Sequence, residues 1–597
     1  LSSSIKRTFV GSGWEVAEDA FPLENLDFRE TVFSQGNGYL GLRGAFEEGL
    51  GLEALGSSDG TFLNGFYETG VISYGEKAYA FPEVSQTMLN VTNGKPVRIF
   101  LGGEPLDMRL GRVEGYRRTL DLRDGVLRRE YVWTSPEGRK VSVRFERLVS
   151  FAEKNVAAIR CEIVPLNFSG TVNMVSALDG GTRNRACGDD PRMGSGLRGD
   201  AMEPVSARAG EPCSVTRRTK KSKLSVCCAA SHAASPEGLP AEYRRADGLV
   251  GAEFSWDAPE SGVITLEKFL CYADSRYYMG DGLIEAAESM ASDARKNGFE
   301  ALKAAQAEYL QGFWRAADVE IRGDGALQQG IRYNIFQLLQ SAGSDGRTFV
   351  SSKGLSGEGY EGHYFWDTET YVLPFFLFTN PEVSRNLLMF RCNTLDRARR
   401  RAREMGHAKG ALFPWRTING DECSAYFPAG TAQYHINADI AHAVKAYAET
   451  TGDEEFLFRC GAETLFETAR VWADLGHYNA NRGGKFCINA VTGPDEYNAV
   501  VDNNCYTNLM AAENMRYAAE TAARMQSERP GAYCKLQREI GLGEEEPAAW
   551  LRAADNIYIP FDEKRGIHLQ DDGFLDRKPW DFEGTPRENY PLLLHYH

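Results

Sequence analysis

The chain has 597 residues, of which 43% are hydrophobic and 25% charged, with a formal net charge of -16. Such a length is too great for one hydrophobic core, so two or three domains are expected in an ordinary globular protein. The acidic balance argues against a phosphate-backbone binder, and no run of 18 or more apolar residues is present to span a membrane.

The first residues, "LSSSIKRTFV", carry neither an apolar signal region nor a methionine. No secretory signal is expected there, and the natural N-terminus is expected to lie upstream. Up to about residue 270 the pattern is β. "VRIFLGG" (97–103), "LRREYVWTS" (127–135), "KVSVRFERLVSF" (140–151) and "NVAAIRCEIVPL" (155–166) are separated by turn residues. Many strands at that spacing predict a large antiparallel sandwich, placed at 1–275. The basic run "RRTKKSK" (217–223) reads as a solvated hairpin edge. The 12 cysteines are scattered, two of them adjacent at 227–228, with no CxxC pair. Reduced, mostly buried thiols in a cytoplasmic protein are expected, with neither a disulfide frame nor a zinc site.

Between about 280 and 316 the sequence is rich in Ala, Glu and Lys, and linker helices are assigned to 276–320. From about 326 apolar residues recur at i, i+3, i+4 and i+7 in at least six segments, which predicts an all-α toroid over 321–597. "TGD" (451–453) joins two of these helices tightly, as antiparallel neighbours require. No repeat is evident, which disfavours a solenoid.

Three polar clusters interrupt the helical part. "EGHYFWDTETYVLPFF" (361–376) places His363, Trp366, Asp367 and Glu369 just before an apolar run. Aromatic faces beside carboxylates suit a pyranose, which has apolar faces and a rim of hydroxyls. Acids favouring a helix N-terminus would look the same. "ALFPWRTINGDECSAYFPAGTAQYHINADIAHA" (411–443) mixes Trp415, Arg416, Asp421, Glu422, Tyr426, Gln433 and His435 ahead of a helix. A lone histidine such as His435 is also well explained as a satisfied core residue. In "VTGPDEYNAVVDNNCYTN" (491–508) a Gly-Pro turn precedes Asp495, Glu496 and Tyr497, and Asp502, Asn503 and Asn504 precede a helix. A rigid turn carrying two acids suits a general acid, and one helix cap does not need so many polar residues.

"GNGYLGLRG" (36–44), "GLSGEGYEGHYFWDTETYVLPFF" (354–376) and "GPDEYNAVVDNNCYTN" (493–508) resemble glycoside hydrolase family 65, from about residue 5 to the end of the chain. Its best-known members are inverting α-glucoside phosphorylases acting on maltose, trehalose, kojibiose or nigerose. The resemblance implies an N-terminal β-supersandwich, linker helices, an (α/α)6 barrel and a small C-terminal β-sheet, the last not in this sequence. It makes Glu496 the general acid, and Trp366 and Asp367 holders of the glucosyl unit, with His363 and Glu369 flanking them. The stretch from Arg416 to His435, with Trp415 and Glu422, corresponds to where members choose the acceptor sugar. Asp495 and Tyr497 join the sugar contacts.

The family places a Lys-Gln pair and a Ser-containing phosphate loop beyond the segment resembling "YPLLLHYH" (590–597), so the sequence is expected to be truncated. The implied reaction is phosphorolysis of an α-linked disaccharide to β-glucose 1-phosphate. Phosphate is the co-substrate; no metal or organic cofactor, a homodimer and no nucleic-acid or membrane partner are expected. An inverting hydrolase and a non-catalytic sugar-binding protein are the rivals. The compact loop at 417–435 looks more like trehalose- or kojibiose-type members than maltose-type ones.

Overall fold

The computed structural model describes residues 9, 11–77, 79–185, 197, 199–236, 240–246, 248–424, 432–497 and 499–589. The chain divides into two compact units. One comprises Leu1–Thr69, Thr87–Gly343 and Thr348–Gly362; the other comprises Gly70–Gln86, Ser344–Arg347 and His363–His597. Helix Gly325–Ser341, which the sequence grouped with the helical part, falls in the first unit. Among the described residues no helix is long and apolar enough to cross a membrane.

The first unit is built on two antiparallel sheets. A nine-stranded sheet runs in the order 15–18, 112–121, 126–134, 140–149, 156–165, 264–274, 225–235, 213–219, 202–208. A five-stranded sheet has the order 242–246, 249–258, 170–179, 97–101, 104–105. Alternate residues explain how they stack. Ala157, Ile159, Cys161 and Ile163 join Val172, Met174, Ile99 and Phe254 in one core between the sheets. The opposite face of the large sheet is also covered. Val156, Ala158 and Phe269 pack with Ala294, Phe299 and Leu302, and Cys227, Ala229, Cys271 and Ala273 pack with Leu283, Ala287 and Ala291. Helices Gly282–Asn297 and Phe299–Ala317, expected as linkers, thus cover a sheet face. Burial on both faces is why "VAAI" and "FLCYA" read as unbroken apolar runs.

One sequence expectation changes in part here. The basic run at 217–223 covers the end of one strand and its hairpin turn, and Arg218, Lys220, Lys221 and Lys223 are exposed as a solvated hairpin requires, but that strand is second from the sheet edge. Arg217 is buried and paired with Asp200 at 3.0 Å. In the motif at 36–44, Asn37 ties the loop down: Nδ2 donates to Ser150 O at 2.6 Å, and Oδ1 accepts from Leu40 N at 2.9 Å.

The second unit is mainly helical. Helix Cys505–Glu528 packs against His435–Thr451, Ala462–Leu475 and Glu546–Asp555. Helices Leu373–Thr379, Pro381–Asn393 and Leu395–Glu404 precede them, and Pro530–Ile540 follows. The tight link at 451–453 works through Gly452, which ends one helix at φ 69°, and Asp453, whose side chain caps the next by accepting from Phe456 N at 2.9 Å. Cys392 and Cys460 are joined by a disulfide, which departs from the expectation of wholly reduced thiols. Their helical turns lie side by side although 68 residues separate them, and no sequence spacing announces that.

Glu358, in the glycine-rich stretch at 354–362, lies half-buried under Arg185 N, which donates to Oε2 at 2.9 Å. Burial pushes its pKa up to about 7, against the lowering pull of that bond and of Arg43. The folded carboxyl therefore holds its proton more tightly than the unfolded one. Its contribution to stability is complete below the ordinary value of 4.5 and is lost as pH rises through about 7. Glu358→Gln should raise the melting temperature at about pH 8 more than at about pH 5. The same change at both pH values in a thermal melt would show that no such penalty exists.

Candidate active site

Three stretches of the second unit meet. They are the loop 363–367 with its turn Thr368–Val372, the segment entering helix His435–Thr451, and the loop 488–504 ahead of helix Cys505–Glu528. The last loop is closed on itself. Val491 and Val501 exchange backbone hydrogen bonds of 2.9 and 2.8 Å, and Thr492 N donates to Ala432 O at 2.9 Å. Gly493 lies so close to Asn504 that a Cβ would stand 2.4 Å from Nδ2, so a side chain there would have to displace the Asn504 amide from its bonds at the helix start. Val500 sits at φ 58°, a strained value for a β-branched residue that the flanking bonds hold in place.

The polar residues at 502–504, more than one helix cap needs, have a structural explanation. Asp502 accepts from Ala490 N at 3.0 Å, Asn503 from Ile488 N at 3.2 Å, and Asn504 caps the helix through Thr507 N at 3.0 Å. Asp495 is exposed and shapes the turn, accepting from Tyr497 N at 3.2 Å and from Gln570 Nε2 at 2.8 Å. Tyr497 is exposed.

Glu496 is half-buried between them. Gln433 Nε2 donates to its Oε1 at 2.6 Å. Gln433 Oε1 in turn meets His435 Nε2 at 3.2 Å, His435 Nδ1 meets Asp439 Oδ2 at 2.7 Å, and Tyr506 O–H donates to Asp439 Oδ1 at 2.7 Å. Burial and the Asp439 carboxylate push the Tyr506 phenol pKa up, which keeps it a donor. Trp366 sets its ring edge to face against His435 at 4.9 Å. Trp366 and Trp415 both pack on a small apolar cluster of Leu395, Ala398, Phe413 and Ile436.

Asp367, next to Trp366, is exposed, and its side chain makes no capping hydrogen bond to the turn that follows. It stands at the start of that turn, where its charge favours the helix dipole, but no hydrogen bond holds it as a cap. Glu369 is different. Its carboxylate is shared by Arg391, at 2.7 and 3.1 Å, and Tyr364 O–H at 2.6 Å, with both charged side chains almost wholly enclosed.

A second group surrounds Gln86. His363 Nε2 meets Gln86 O at 2.6 Å and its Nδ1 accepts from Arg416 Nε at 3.0 Å. Burial, with the Arg416 charge, drives the His363 pKa well down, so the ring is neutral. Glu422 gathers the backbone N–H groups of Trp415 at 2.7 Å, Ser424 at 2.9 Å and Arg416 at 3.4 Å, while burial raises its pKa. Asp421 pairs with Arg397 and Arg400. Tyr426 lies outside the described residues.

His363, Glu369, Arg416 and His435 were expected among the sugar contacts; all four are buried and bonded to other protein groups. They buttress the loops that carry Trp366, Asp367, Trp415 and Glu496. Among the described residues no group of three or more His, Cys, Asp or Glu is placed to hold a metal ion.

The pattern of the glycosyl hydrolase family 65 N-terminal domain matches residues 16–313, and that of its central catalytic domain matches residues 332–597. The chain belongs to glycosyl hydrolase family 65. It is 45% identical to an α,α-trehalose phosphorylase of Thermoanaerobacter brockii over 589 residues, 98% of this chain and 76% of the relative. A maltose phosphorylase of Bacillus subtilis strain 168 is 32% identical over 96% of this chain and 73% of its own length. A solved structure of a human-microbiome protein, inferred to be a kojibiose phosphorylase, superimposes with a TM-score of 0.88 at 25% identity, covering 99% of this chain and 76% of that one.

The family 65 motifs point to Trp366, Asp367 and Glu496 but pass over Asp439 and Tyr506. A signal for Asp439 was present: "HINAD" puts an acid four residues after His435, on the same helix face. Nothing in the sequence pairs Tyr506 with it.

The Glu369–Arg391 pair offers a test of the buttressing role. Arg391→Met removes one charge and leaves the other buried, which should cost about 3–5 kcal/mol in denaturant unfolding. A loss below about 1 kcal/mol would mean that the pair supports nothing.

Proposed function

We propose that the protein is an inverting phosphorylase of an α-linked glucose disaccharide, trehalose first and kojibiose second, releasing β-glucose 1-phosphate and a free sugar. The observation that carries this reading is Glu496: a half-buried carboxyl on a rigid turn, with one oxygen taken by Gln433. The phosphorylase names of the relatives support the reaction class, and the 45% against 32% identity supports trehalose over maltose. The (α/α)6 barrel is proposed as the setting, its loops meeting where these three stretches meet.

In this mechanism Trp366 covers one face of the glucosyl ring and Asp367 accepts its hydroxyls. Glu496 gives its proton to the glycosidic oxygen as the bond from that oxygen to the anomeric carbon breaks. A phosphate oxygen forms the new bond from the opposite side, inverting the configuration. Phosphate is already an anionic nucleophile, so no carboxylate base is needed, unlike in an inverting hydrolase. The chemistry likewise calls for no metal or organic cofactor.

Glu496→Gln keeps the shape and loses the proton. General acid catalysis is worth roughly 10²–10⁴-fold, so disaccharide phosphorolysis should fall by that much. α-Glucosyl fluoride, whose leaving group needs no proton, should lose far less. Equal losses on the two substrates would mean that Glu496 holds structure instead of donating. Sugar release in the wild type should also require phosphate; equal release without it would make the protein a hydrolase.

Asp367→Asn should weaken glucosyl binding in both reaction directions, since hydrogen bonds to a carboxylate are worth roughly 1.5–3 kcal/mol each. Unchanged kcat/KM for every α-glucoside tested would remove Asp367 from the site.

A further inference from the structure

We propose that Cys392 and Cys460 form a reversible redox site, where thiol–disulfide exchange with a small dithiol releases the helix end that holds the loop carrying Trp366 and Asp367. The effect on turnover rests on the phosphorylase reading; the exchange of sulfur bonds does not.

The pair closes a seam between two elements. Helix Pro381–Asn393 runs beside the segment that opens at Asp453 and continues through the turn Leu457–Gly461. Arg385 Nε donates to Asp453 Oδ2 at 3.2 Å, and about two helical turns later on both elements Cys392 is bonded to Cys460. The ion pair is partly exposed and worth little, so of these two ties the sulfur bond is the firm one.

The residue before Cys392 is Arg391, whose guanidinium donates to Glu369 at 2.7 and 3.1 Å. Glu369 lies in the turn Thr368–Val372, which directly follows Trp366 and Asp367. The sulfur bond is therefore fixed beside the charge that pins this turn. Opening it lets the last turn of helix Pro381–Asn393 fray. A buried ion pair offsets its desolvation only in good geometry, so a fraying helix end weakens the hold on Glu369.

The chemistry favours this pair over the other cysteines. Cys392 and Cys460 are both partly exposed, so a thiolate from outside can reach them. Cys227 and Cys228 are adjacent, but they point to opposite faces of one strand and cannot bond to each other. Burial raises the thiol pKa of Cys161, Cys213, Cys227, Cys228 and Cys271, which leaves them poor nucleophiles. In the proposed step a thiolate of the dithiol attacks one sulfur, the Cys392–Cys460 bond breaks, and the displaced sulfur takes a proton. The second thiol of the reductant then attacks the mixed disulfide and frees the other cysteine. Two electrons and two protons pass to the protein, and the dithiol leaves as a cyclic disulfide. An intracellular disulfide of this kind belongs to redox sensing more often than to permanent framework.

The test equilibrates the whole chain with oxidised or with reduced dithiothreitol. It reads peptide masses after alkylation, amide hydrogen exchange, and phosphorolysis of trehalose. The oxidised protein should yield a Cys392–Cys460 cross-linked peptide, and the reduced protein both cysteines alkylated. Reduction should speed amide hydrogen exchange in residues 363–372 by about tenfold, leave strand 140–149 unchanged, and raise KM for trehalose several-fold. The double variant Cys392→Ser with Cys460→Ser should match the reduced state and ignore the reductant. Failure of the cross-link to form in the folded, oxidised protein would overturn the proposal, as would equal amide exchange at 363–372 in both states. Faster amide exchange there with unchanged KM would overturn the effect on turnover. No phosphorolysis in either state, with the difference at 363–372 intact, would remove the phosphorylase reading and leave the redox site standing.

Discussion

A carboxyl group can donate only from the oxygen that bears its proton, and in a protein that choice is made by whatever the other oxygen touches. Glu496, the acid proposed for this chain, stands under that constraint. The Gly-Pro turn fixes where Glu496 stands, the bond from Thr492 N to Ala432 O brings Gln433 beside it, and Gln433 occupies one oxygen. Gln433, His435 and Asp439 are buried behind it, and Tyr506 closes the chain half-buried.

The supporting charges do a second kind of work. Glu369 and Arg391 neutralise each other out of water, and the Tyr364 hydroxyl completes the carboxylate shell. His363, locked between Gln86 O and Arg416, and Glu422, gathering three backbone N–H groups, hold the loop that bears Trp415. Such pairs add little net stability compared with an apolar core, but breaking one leaves a stranded charge, so they resist deformation. The proposed sugar site would need that stiffness, because small displacements of a catalytic acid cost much rate.

The sandwich was legible because half-buried strands alternate and turns punctuate them; the strands at 97–101, 126–134, 140–149 and 156–165 lie where the pattern put them. Long helices were legible for the same reason of periodicity. Short ones, Pro530–Ile540 and Glu546–Asp555, escaped because three turns give too little period to read. At the site the residue types were informative and the partners were not. His435 and Glu369 looked like ligands for sugar because an acid or imidazole beside tryptophan usually has polar work to do. In the structure they are bonded to Gln433 and Arg391, whose proximity is a product of the fold. The Cys392–Cys460 bond was hidden in the same way.

A single acid acting with phosphate as nucleophile fixes the configuration of the first product formed. Proton and phosphorus NMR of the wild-type reaction on trehalose and phosphate, read before the sugars equilibrate, should show β-glucose 1-phosphate with an equal amount of free glucose. With phosphate omitted, neither signal should grow. Appearance of α-glucose 1-phosphate, or glucose released at the same rate without phosphate, would rule out inverting phosphorolysis.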